Sequence, residues 1–235
     1  MLTHGLTIRI EGAPRTGEEN MERDAADLAA VAAGGSATLR WYRWDAPTIS
    51  LGHFQRDSGD DFPALPRVRR ISGGGAILHD REWTYALALP STHRLTARPG
   101  ELYRLVHESI ISALVEAGGP PLRLRGTAET DRDGAFLCFL RGDANDVLRS
   151  DGEDRSKVIG SAQRRPRGGL LQHGSVLWTA SPLLPELRGV ADGTDLPAID
   201  EAIPLLQSLS RAIAWQLADP PRSRSLDDVA FSQPS

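Results

Sequence analysis

Three segments of the chain predict helices, and one of them places apolar residues at the three-and-four spacing of an amphipathic helix. The clearest is residues 100–117, in which Leu102, Val106, Ile110 and Leu114 fall on one face before a Gly-Gly-Pro stop. Residues 18–33 are rich in alanine, begin with acidic side chains and end before two glycines, which predicts a second helix. Residues 199–217 predict a third helix.

Between these helices, short runs rich in β-branched and aromatic residues predict strands. The runs are residues 37–44, 48–52, 68–71, 83–89, 122–125, 135–140, 157–163 and 169–178. Because they cluster with turn signals and do not alternate strictly with helices, the pattern predicts an α+β fold with a mixed, largely antiparallel β-sheet packed with helices. We expect one catalytic domain over residues 1–218 and disorder in residues 219–235, which are rich in Pro, Ser and Arg.

Composition limits the classes of partner. The net charge of -4 gives no general attraction for nucleic acid, so an acidic partner has to dock on a local patch such as Arg67, Arg69 and Arg70. The single cysteine allows no intramolecular disulfide and no zinc site of the cysteine type, which is typical of a reducing compartment. No leader-like segment and no run of ~18 apolar residues occurs, so we expect a cytoplasmic protein that does not enter membranes.

Lysine is almost absent from this chain. Of 27 basic residues only Lys157 is a lysine, and it stands within the sequence SKVIGSAQRR. Lysine offers a compact, mobile charge that reaches a single oxygen, whereas arginine is a rigid planar fork. Lys157 therefore suggests a function that arginine cannot perform. The alternative is that this lysine arose by drift in an arginine-biased chain.

Four short segments carry residues suited to binding or reaction. They are residues 69–80 (RRISGGGAILHD), 137–139 (LCF), 157–165 (KVIGSAQRR) and 170–177 (LLQHGSVL). The glycine triplet, between two apolar strands, lets a ligand approach the backbone, although a tight hairpin is its commoner meaning. Taken alone, Cys138 is typical of a small buried residue on a strand, and His173 of a core histidine. No GxSxG elbow is present, which disfavours a serine hydrolase.

In their order along the chain, these segments resemble the biotin/lipoate protein ligase catalytic domain. The resemblance includes Asn20-Met21 and the stretch RWYRWDAPTISLGHFQ, and it covers roughly residues 17–215. The RRxSGGGA and KxxGSA elements are specific to the lipoate branch. The form GSAQRR, the phrase LLQHGS and the pair Cys138-Phe139 are most similar to the cysteine-dependent octanoyl- and lipoyl-transferases.

This resemblance implies covalent acyl transfer without a cofactor or metal. Cys138 would attack the thioester of an octanoyl acyl carrier protein, and Lys157 would hydrogen-bond the acyl carbonyl oxygen as negative charge builds there. The acceptor would be a lysine of a lipoyl domain, in a 2-oxoacid dehydrogenase subunit or the glycine cleavage H protein. The substrate-binding residues would be Arg70, Ser72, Gly73, Gly74, Gly75, His79, Gly160, Ser161, Ala162, His173 and Gly174. The apolar walls of the acyl tunnel are expected at Ile71, Ile77, Leu78, Trp83 and Leu171.

The pair Asn145-Asp146, ahead of the lysine, supports a second interpretation. It resembles the ATP-dependent lipoate-protein ligases, in which such a pair lies near magnesium and nucleotide, and such an enzyme needs ATP and magnesium but no cysteine. A turn leading into residues 150–156 is the plain structural alternative for the same pair. A non-catalytic lipoyl-domain binding module is a third possibility. An amidotransferase acting between two lipoyl domains would use the same nucleophile, so the donor stays open.

Overall fold

The structure is a computed structural model that describes residues 5–57, 62–127, 137, 139, 142–151 and 156–218. Within these ranges the α helices are α1 (Gly17–Ala32), α2 (Pro99–Glu116) and α3 (Ile203–Leu217). All three lie where the sequence predicts helices. The predicted tail, residues 219–235, lies outside the described residues.

Local chemistry sets where two of these helices begin. The Thr16 side chain accepts a bond from the Glu19 amide at 3.2 Å, and the Glu19 carboxylate accepts from the Thr16 amide at 3.1 Å. This reciprocal capping box starts α1 one residue before the predicted position. The third helix starts later than predicted, because residues Ile199–Glu201 form a separate 3-10 turn and Pro204 occupies the first turn of α3.

Two sheets form the rest of the fold. The larger sheet has the order β1-β2-β6-β10-β9-β8-β7 and is antiparallel at every pair except β1 with β2. Its strands are β1 (Thr7–Ile10), β2 (Thr38–Tyr42), β6 (Glu82–Pro90), β7 (Leu122–Leu124), β8 (Val147–Arg149), β9 (Lys157–Arg164) and β10 (Gly169–Leu177). A smaller sheet joins β4 (Arg67–Arg69), β3 (Thr48–Leu51) and β5 (Ile77–His79). The α+β class with a mixed, largely antiparallel sheet is therefore confirmed.

The strand predictions differ from the structure in four places, one of which is β5, a strand that no predicted run covers. Strand β1 was not predicted. It is only four residues long, it alternates apolar residues with Thr and Arg, and it lies at the sheet edge. Strand β8 was not predicted either, since its three residues follow a turn. The predicted strand at residues 135–140 lies outside the described residues except for Leu137 and Phe139, of which Leu137 forms a single bridge with Ala76.

The large sheet is covered on both faces. Helices α2 and α3 pack on one face, where Trp41, Tyr85 and Leu87 point into the main core. Helix α1 packs on the other face against alternate positions of the same strands, such as Tyr42 and Ala86. Because successive side chains of a strand point to opposite faces, the α1 face also receives alternate positions of β9 and β10. That face carries the candidate site. No helix among the described residues has both the length and the apolar character that a membrane span requires.

Candidate active site

A cavity, here named cavity A, lies between α1, the small sheet and strands β9 and β10. It encloses about 270 Å³ including its open mouth. Its lining consists of Met21, Tyr42, Trp44, Arg70, Ile77, His79, Thr84, Gly160, Ser161, Ala162, His173, Gly174 and Ser175. Seven of the substrate-binding residues predicted from the sequence are among them, from three separate segments of the chain. The fold thus brings the sequence motifs together around one space.

The glycine loop, Gly73 to Gly75, is held by a buried arginine. The guanidinium of Arg70 donates to the carbonyl oxygens of Gly73 at 3.3 Å and Gly75 at 2.7 Å, and to that of Ser50 at 2.6 Å. Gly74 has a φ of 95°, a backbone conformation that glycine adopts without strain. Arg70 therefore fixes the loop by its carbonyl groups, and the loop borders cavity A through Arg70.

The three arginines near this loop, Arg67, Arg69 and Arg70, are engaged by other groups of the protein. Arg70 is buried, and Arg69 donates to the carbonyl oxygens of Gly52 and Gln55, both at 2.8 Å. Arg67 pairs with Asp57 at 2.5 Å. These guanidinium groups bind the backbone and a carboxylate of the protein itself.

His173 links α1 to the glycine loop. Its Nδ1 lies 2.8 Å from a carboxylate oxygen of Asp24, and its Nε2 forms a short hydrogen bond with the Ser72 hydroxyl. Asp24 also accepts from Arg40 at 2.7 Å and from Tyr42 at 3.1 Å. Burial raises the pKa of Asp24, but His173 and Arg40 outweigh it and hold that pKa below the usual value. Asp24 is therefore an anion that fixes the orientation of the imidazole ring.

His79, at the end of β5, occupies a second buried network. Its Nδ1 lies 2.7 Å from Glu82, and its Nε2 accepts from the Ser50 hydroxyl at 2.5 Å. The ring stacks on Trp44 with 3.8 Å between centroids. Burial lowers the pKa of His79, with Glu82 opposing. The wall of cavity A formed by Trp44 and His79 is thus rigid and carries a neutral imidazole.

A third histidine, His107 on α2, was not predicted as a site residue. Its Nδ1 donates to the carbonyl oxygen of Asn145 at 2.6 Å, and its Nε2 lies 2.5 Å from the Ser161 hydroxyl. Burial lowers the pKa of His107 to about 4. The sequence signal was an ionisable residue on the apolar face of α2, next to Val106.

A chain of hydrogen bonds runs across the sheet to His107, and all of its donors point toward the histidine. Gln163 donates to Gln172 at 2.8 Å, and Gln172 donates to the hydroxyl of Tyr85 at 2.9 Å. Tyr85 lies 2.6 Å from the Ser161 hydroxyl, which in turn lies 2.5 Å from Nε2 of His107. Because Nδ1 of His107 carries the proton, every hydroxyl in this chain donates toward the histidine. The chain ties strands β6, β9 and β10 to the turn that contains Asn145.

Lys157 opens strand β9, and its side chain is buried. The ammonium nitrogen lies 2.9 Å from Oδ1 of Asp146, and Oδ2 of Asp146 accepts from the Asp143 amide at 2.7 Å. A Cβ on Gly160, which lines cavity A, would lie 2.7 Å from Cε of Lys157. The ammonium is also 5.2 Å from the ring centre of Phe139. Lys157 is thus packed directly behind the wall of cavity A.

Asn145 and Asp146 form the end of a turn before β8. The Asn145 side chain donates to the Asp143 carboxylate at 3.0 Å, as its amide does at 2.9 Å. Both carboxylate oxygens of Asp146 are engaged, one by Lys157 and one by the Asp143 amide. Among the described residues, no three carboxylate, histidine or cysteine side chains are placed to bind a metal ion. In this arrangement Asp146 is paired with Lys157, and Asn145 is held within the turn.

The predicted nucleophile, Cys138, lies outside the described residues. Its neighbours Leu137 and Phe139 are both buried. Of the two predicted catalytic residues, only Lys157 is therefore described by the structure. Of the expected tunnel walls, Ile77 lines cavity A, whereas the Trp83 side chain packs into the core on the α2 and α3 face. Trp83 was assigned wrongly because it follows Glu82, which points to the site face, and adjacent strand residues alternate.

The chain matches the model of the lipoyl protein ligase A/B catalytic domain over residues 16–190. It belongs to this family. The match includes every site residue discussed above and ends before α3, and the family expected from the sequence motifs is confirmed.

Curated relatives carry the name octanoyltransferase LipM. That of Kyrpidia tusciae is 36% identical over 177 residues, which cover 69% of this chain and 62% of the relative. That of an Exiguobacterium species is 40% identical over 171 residues, covering 67% and 60%. That of Symbiobacterium thermophilum is 33% identical over 221 residues, covering 86% and 78%. The chain thus spans 62% and 60% of the length of the first two.

Solved structures share the fold at low sequence identity. A putative lipoate protein ligase from T. acidophilum with bound lipoic acid superposes with a TM-score of 0.65 at 20% identity, covering 92% of this chain and 86% of that chain. A lipoate-protein ligase A bound with ATP gives a TM-score of 0.65 at 19% identity, with the same coverage. These likenesses confirm the fold of the catalytic domain.

Proposed function

We propose that this protein is an octanoyl- or lipoyl-transferase that modifies a specific lysine of lipoyl domains through a thioester on Cys138. The observation that carries the proposal is the position of Lys157, an ammonium buried between Asp146, Phe139 and Gly160 at the wall of cavity A. Cys138 follows Leu137 and precedes Phe139 in the chain, so the aromatic neighbour of the lysine is also the sequence neighbour of the thiol. The LipM relatives, all named octanoyltransferases, support the same reaction.

In the first step the Cys138 thiolate attacks the carbonyl carbon of an acyl thioester. The carbonyl oxygen becomes an oxyanion, and the Lys157 ammonium is the donor we assign to it. Collapse of the intermediate breaks the bond to the donor sulfur, which leaves as a thiolate and takes up a proton, while the acyl group stays on Cys138. A lysine ammonium near the thiol also favours its ionised, nucleophilic form.

In the second step the ε-amine of the acceptor lysine attacks the Cys138 thioester. An amide forms, the Cys138 thiolate leaves, and the attacking nitrogen loses a proton to solvent or to a neutral base. The same ammonium of Lys157 serves the second oxyanion, because both steps place charge on the same carbonyl oxygen. A thiol nucleophile has to remain reduced, which agrees with the cytoplasmic compartment expected from the sequence.

Cavity A is proposed to bind the acyl chain. Met21, Trp44 and Ile77 offer apolar surface, and Gly160 brings the cavity against Lys157. The proposed acceptors are lipoyl domains of 2-oxoacid dehydrogenase subunits or the glycine cleavage H protein, with octanoyl acyl carrier protein as donor. A solved structure from T. acidophilum, of a bipartite lipoate protein ligase and its E2 lipoyl domain, shares the fold with a TM-score of 0.62 at 20% identity.

The ATP-dependent ligase, acting through lipoyl-adenylate, is the second candidate. It is favoured by the fold shared with a lipoate-protein ligase bound with ATP. Against it, Asp146 is bonded on both oxygens, so the residue expected near magnesium is occupied by Lys157 and a backbone amide. A non-catalytic lipoyl-domain binding module is weaker still, because a buried ammonium that must be desolvated is retained beside the cavity.

Intact mass spectrometry tests the proposal, because the chain has only one thiol. Incubated with octanoyl carrier protein and no ATP, the wild type should gain one octanoyl group that hydroxylamine removes, and should then pass it to a lipoyl domain. Cys138→Ser should gain no hydroxylamine-labile adduct. Full modification of a lipoyl domain by Cys138→Ala with free octanoate, magnesium and ATP would establish the ligase instead.

A further inference from the structure

A second cavity, here named cavity B, lies on the opposite face of strand β5 from cavity A. Ile77 and His79 line cavity A, whereas Leu78 between them lines cavity B, as strand alternation requires. Cavity B encloses about 400 Å³ including its open mouth. Its lining consists of Leu78, Asp80, Arg81, Leu137, Phe139, Leu177, Thr179, Ser181, Leu184 and Leu187. Nothing in the proposed acyl-binding role of cavity A uses it.

Lys157 lies between the two cavities. Its Cε is packed against Gly160, which lines cavity A, and its ammonium faces Phe139, which lines cavity B. In acyl transfer the reacting carbonyl carbon carries the acyl chain on one side and the leaving group on the other. A carbonyl group held at Lys157 with its chain in cavity A therefore directs its leaving group toward cavity B.

We infer that cavity B binds the pantetheine arm of a carrier-bound acyl donor. This inference rests on the proposed function, since it names the donor substrate of the same site. A pantetheine arm is a narrow chain of methylene groups and two amides, with a gem-dimethyl group and a phosphate at its far end. The leucines and Phe139 of cavity B match its apolar parts.

The polar residues of cavity B match the rest of the arm. The Asp80 carboxylate accepts a bond from the Ser181 hydroxyl at 2.7 Å, which leaves further acceptor capacity for an amide N–H. Arg81 is exposed, and among the described residues its guanidinium has no hydrogen-bond or ion-pair partner. A guanidinium at the mouth of an apolar cavity is suited to the phosphate, which it binds through two parallel bonds.

The leaving step balances without another reactant. The Cys138 thiolate forms the new carbon–sulfur bond, the bond to the pantetheine sulfur breaks, and the released thiolate takes a proton from solvent. Departure of the arm then empties cavity B, and the acceptor lysine, a similar narrow methylene chain with a terminal nitrogen, reaches the thioester by the same route. One cavity thus serves both partners in turn.

Three octanoyl donors of increasing length test the inference: octanoyl-N-acetylcysteamine, octanoyl-pantetheine and octanoyl-4′-phosphopantetheine. Each is assayed for acylation of the full-length chain, and KM is compared among donors within each variant. Arg81→Ala should raise KM for the phosphorylated donor relative to octanoyl-pantetheine by about 3- to 5-fold, the range of an exposed charge pair. Leu184→Trp, which fills cavity B, should raise KM for both pantetheine donors relative to N-acetylcysteamine by ~10-fold or more. Arg104→Ala, on the solvent side of α2, is the matched arginine control and should leave all three values unchanged.

The outcomes separate this inference from the proposed function. Acylation of the wild type by all three donors, with equal KM ratios in Arg81→Ala, Leu184→Trp and Arg104→Ala, would overturn the inference and leave the transferase intact. Loss of ATP binding in Leu184→Trp with unchanged pantetheine kinetics would identify cavity B as a nucleotide site and also overturn it. Failure of every donor to acylate the wild type would remove both proposals. If Leu184→Trp proves unfolded by circular dichroism, the phosphate dependence of Arg81→Ala decides.

Discussion

The ammonium nitrogen of Lys157 lies 2.9 Å from Oδ1 of Asp146, and both side chains are almost entirely buried. Burial raises the pKa of Asp146, and the charge of Lys157 opposes that rise. Each residue therefore compensates part of the desolvation of the other, and Arg125, 3.6 Å from Asp146, adds a second positive charge. The consequence for function is that Asp146 acts through Lys157, by keeping the ammonium at the wall of cavity A.

Removing one member of this pair should be worse for stability than removing both. We expect Asp146→Asn to lower the free energy of unfolding by about 3–5 kcal/mol, the usual cost of removing one partner of a buried ion pair. The double variant Lys157→Met with Asp146→Leu should recover most of that loss and remain inactive. Urea denaturation followed by circular dichroism measures both. A double variant less stable than Asp146→Asn would show that the pair stabilises the fold by its net charge interaction.

Lys157→Arg keeps the charge but should abolish most activity. The guanidinium is wider than an ammonium, and the space beside Gly160 already leaves no room for a methyl group. Loss of one oxyanion donor typically costs ~10²–10³ in rate, and single-turnover transfer to a lipoyl domain would measure it. Turnover near the wild-type value would mean that the lone lysine is retained by drift.

Gly160→Ala tests the position of the ammonium without touching it chemically. The added methyl group would lie 2.7 Å from Cε and 3.1 Å from Nζ of Lys157, so the side chain has to move. A displacement of about 1 Å at a reacting centre costs up to ~10²-fold in rate, and we expect kcat to fall by that order. Gly100→Ala is the control, since a methyl group there meets no atom within 4 Å and should leave kcat unchanged. Equal kcat values for the two variants would contradict the proposed role of Lys157.

The chain should lose stability in acid through His107. Its folded pKa of about 4 lies below the ordinary histidine value of ~6.5, so the unfolded chain binds the proton more readily. Stability from this group is therefore fully present above pH ~6.5 and is lost as pH falls toward 4, by up to ~3 kcal/mol. His79, whose pKa is also lowered, adds a loss in the same direction. The unfolding free energies of the wild type and of His107→Asn, measured at several pH values, give the contribution of His107 to the pH dependence of stability. Parallel pH curves for the two proteins would show that His107 makes no such contribution.

The apolar lining of cavity A should determine which acyl-chain length the enzyme prefers. Each enclosed methylene contributes ~0.8 kcal/mol, so octanoyl should be preferred over butanoyl by roughly 3 kcal/mol in kcat/KM. Met21→Trp narrows the cavity and should shift that preference toward butanoyl. Val115→Trp, at a half-exposed position on α2, introduces the same side chain away from the cavity and serves as control. An unchanged preference in Met21→Trp would place the acyl chain elsewhere.

Particular residues explain how much of this molecule the sequence predicted. The helices were found because apolar residues at positions such as Leu102, Val106 and Ile110 bury one face, a signal that survives without tertiary information. The motif residues around cavity A were found by resemblance. Asp24 was not found, since an acidic residue in an acidic helix looks solvated until the partners Arg40 and His173 are brought against it by strand pairing.

The small sheet and the pairing of Asp146 with Lys157 were beyond sequence reasoning for a related reason. Both depend on contacts between segments that are distant or register-shifted, such as the irregular pairing between β8 and β9 near Val147. Periodicity reports which face of an element is buried, but it does not report which element covers that face. The position of Cys138 relative to Lys157 stays a prediction.

Gly174 has a consequence for how this family changes over time. A methyl group at that position would overlap the Ser161 hydroxyl and lie 2.8 Å from the ring of Tyr85. The absence of a side chain at Gly174 thus leaves room for the hydroxyl groups of Ser161 and Tyr85, which are hydrogen-bonded toward His107. The same methyl group would lie 2.7 Å from the backbone carbonyl oxygen of Gly160, and loss of the Ser161 hydroxyl would not relieve that contact. Homologous chains should therefore keep glycine at position 174 even where the hydroxyl at position 161 is lost.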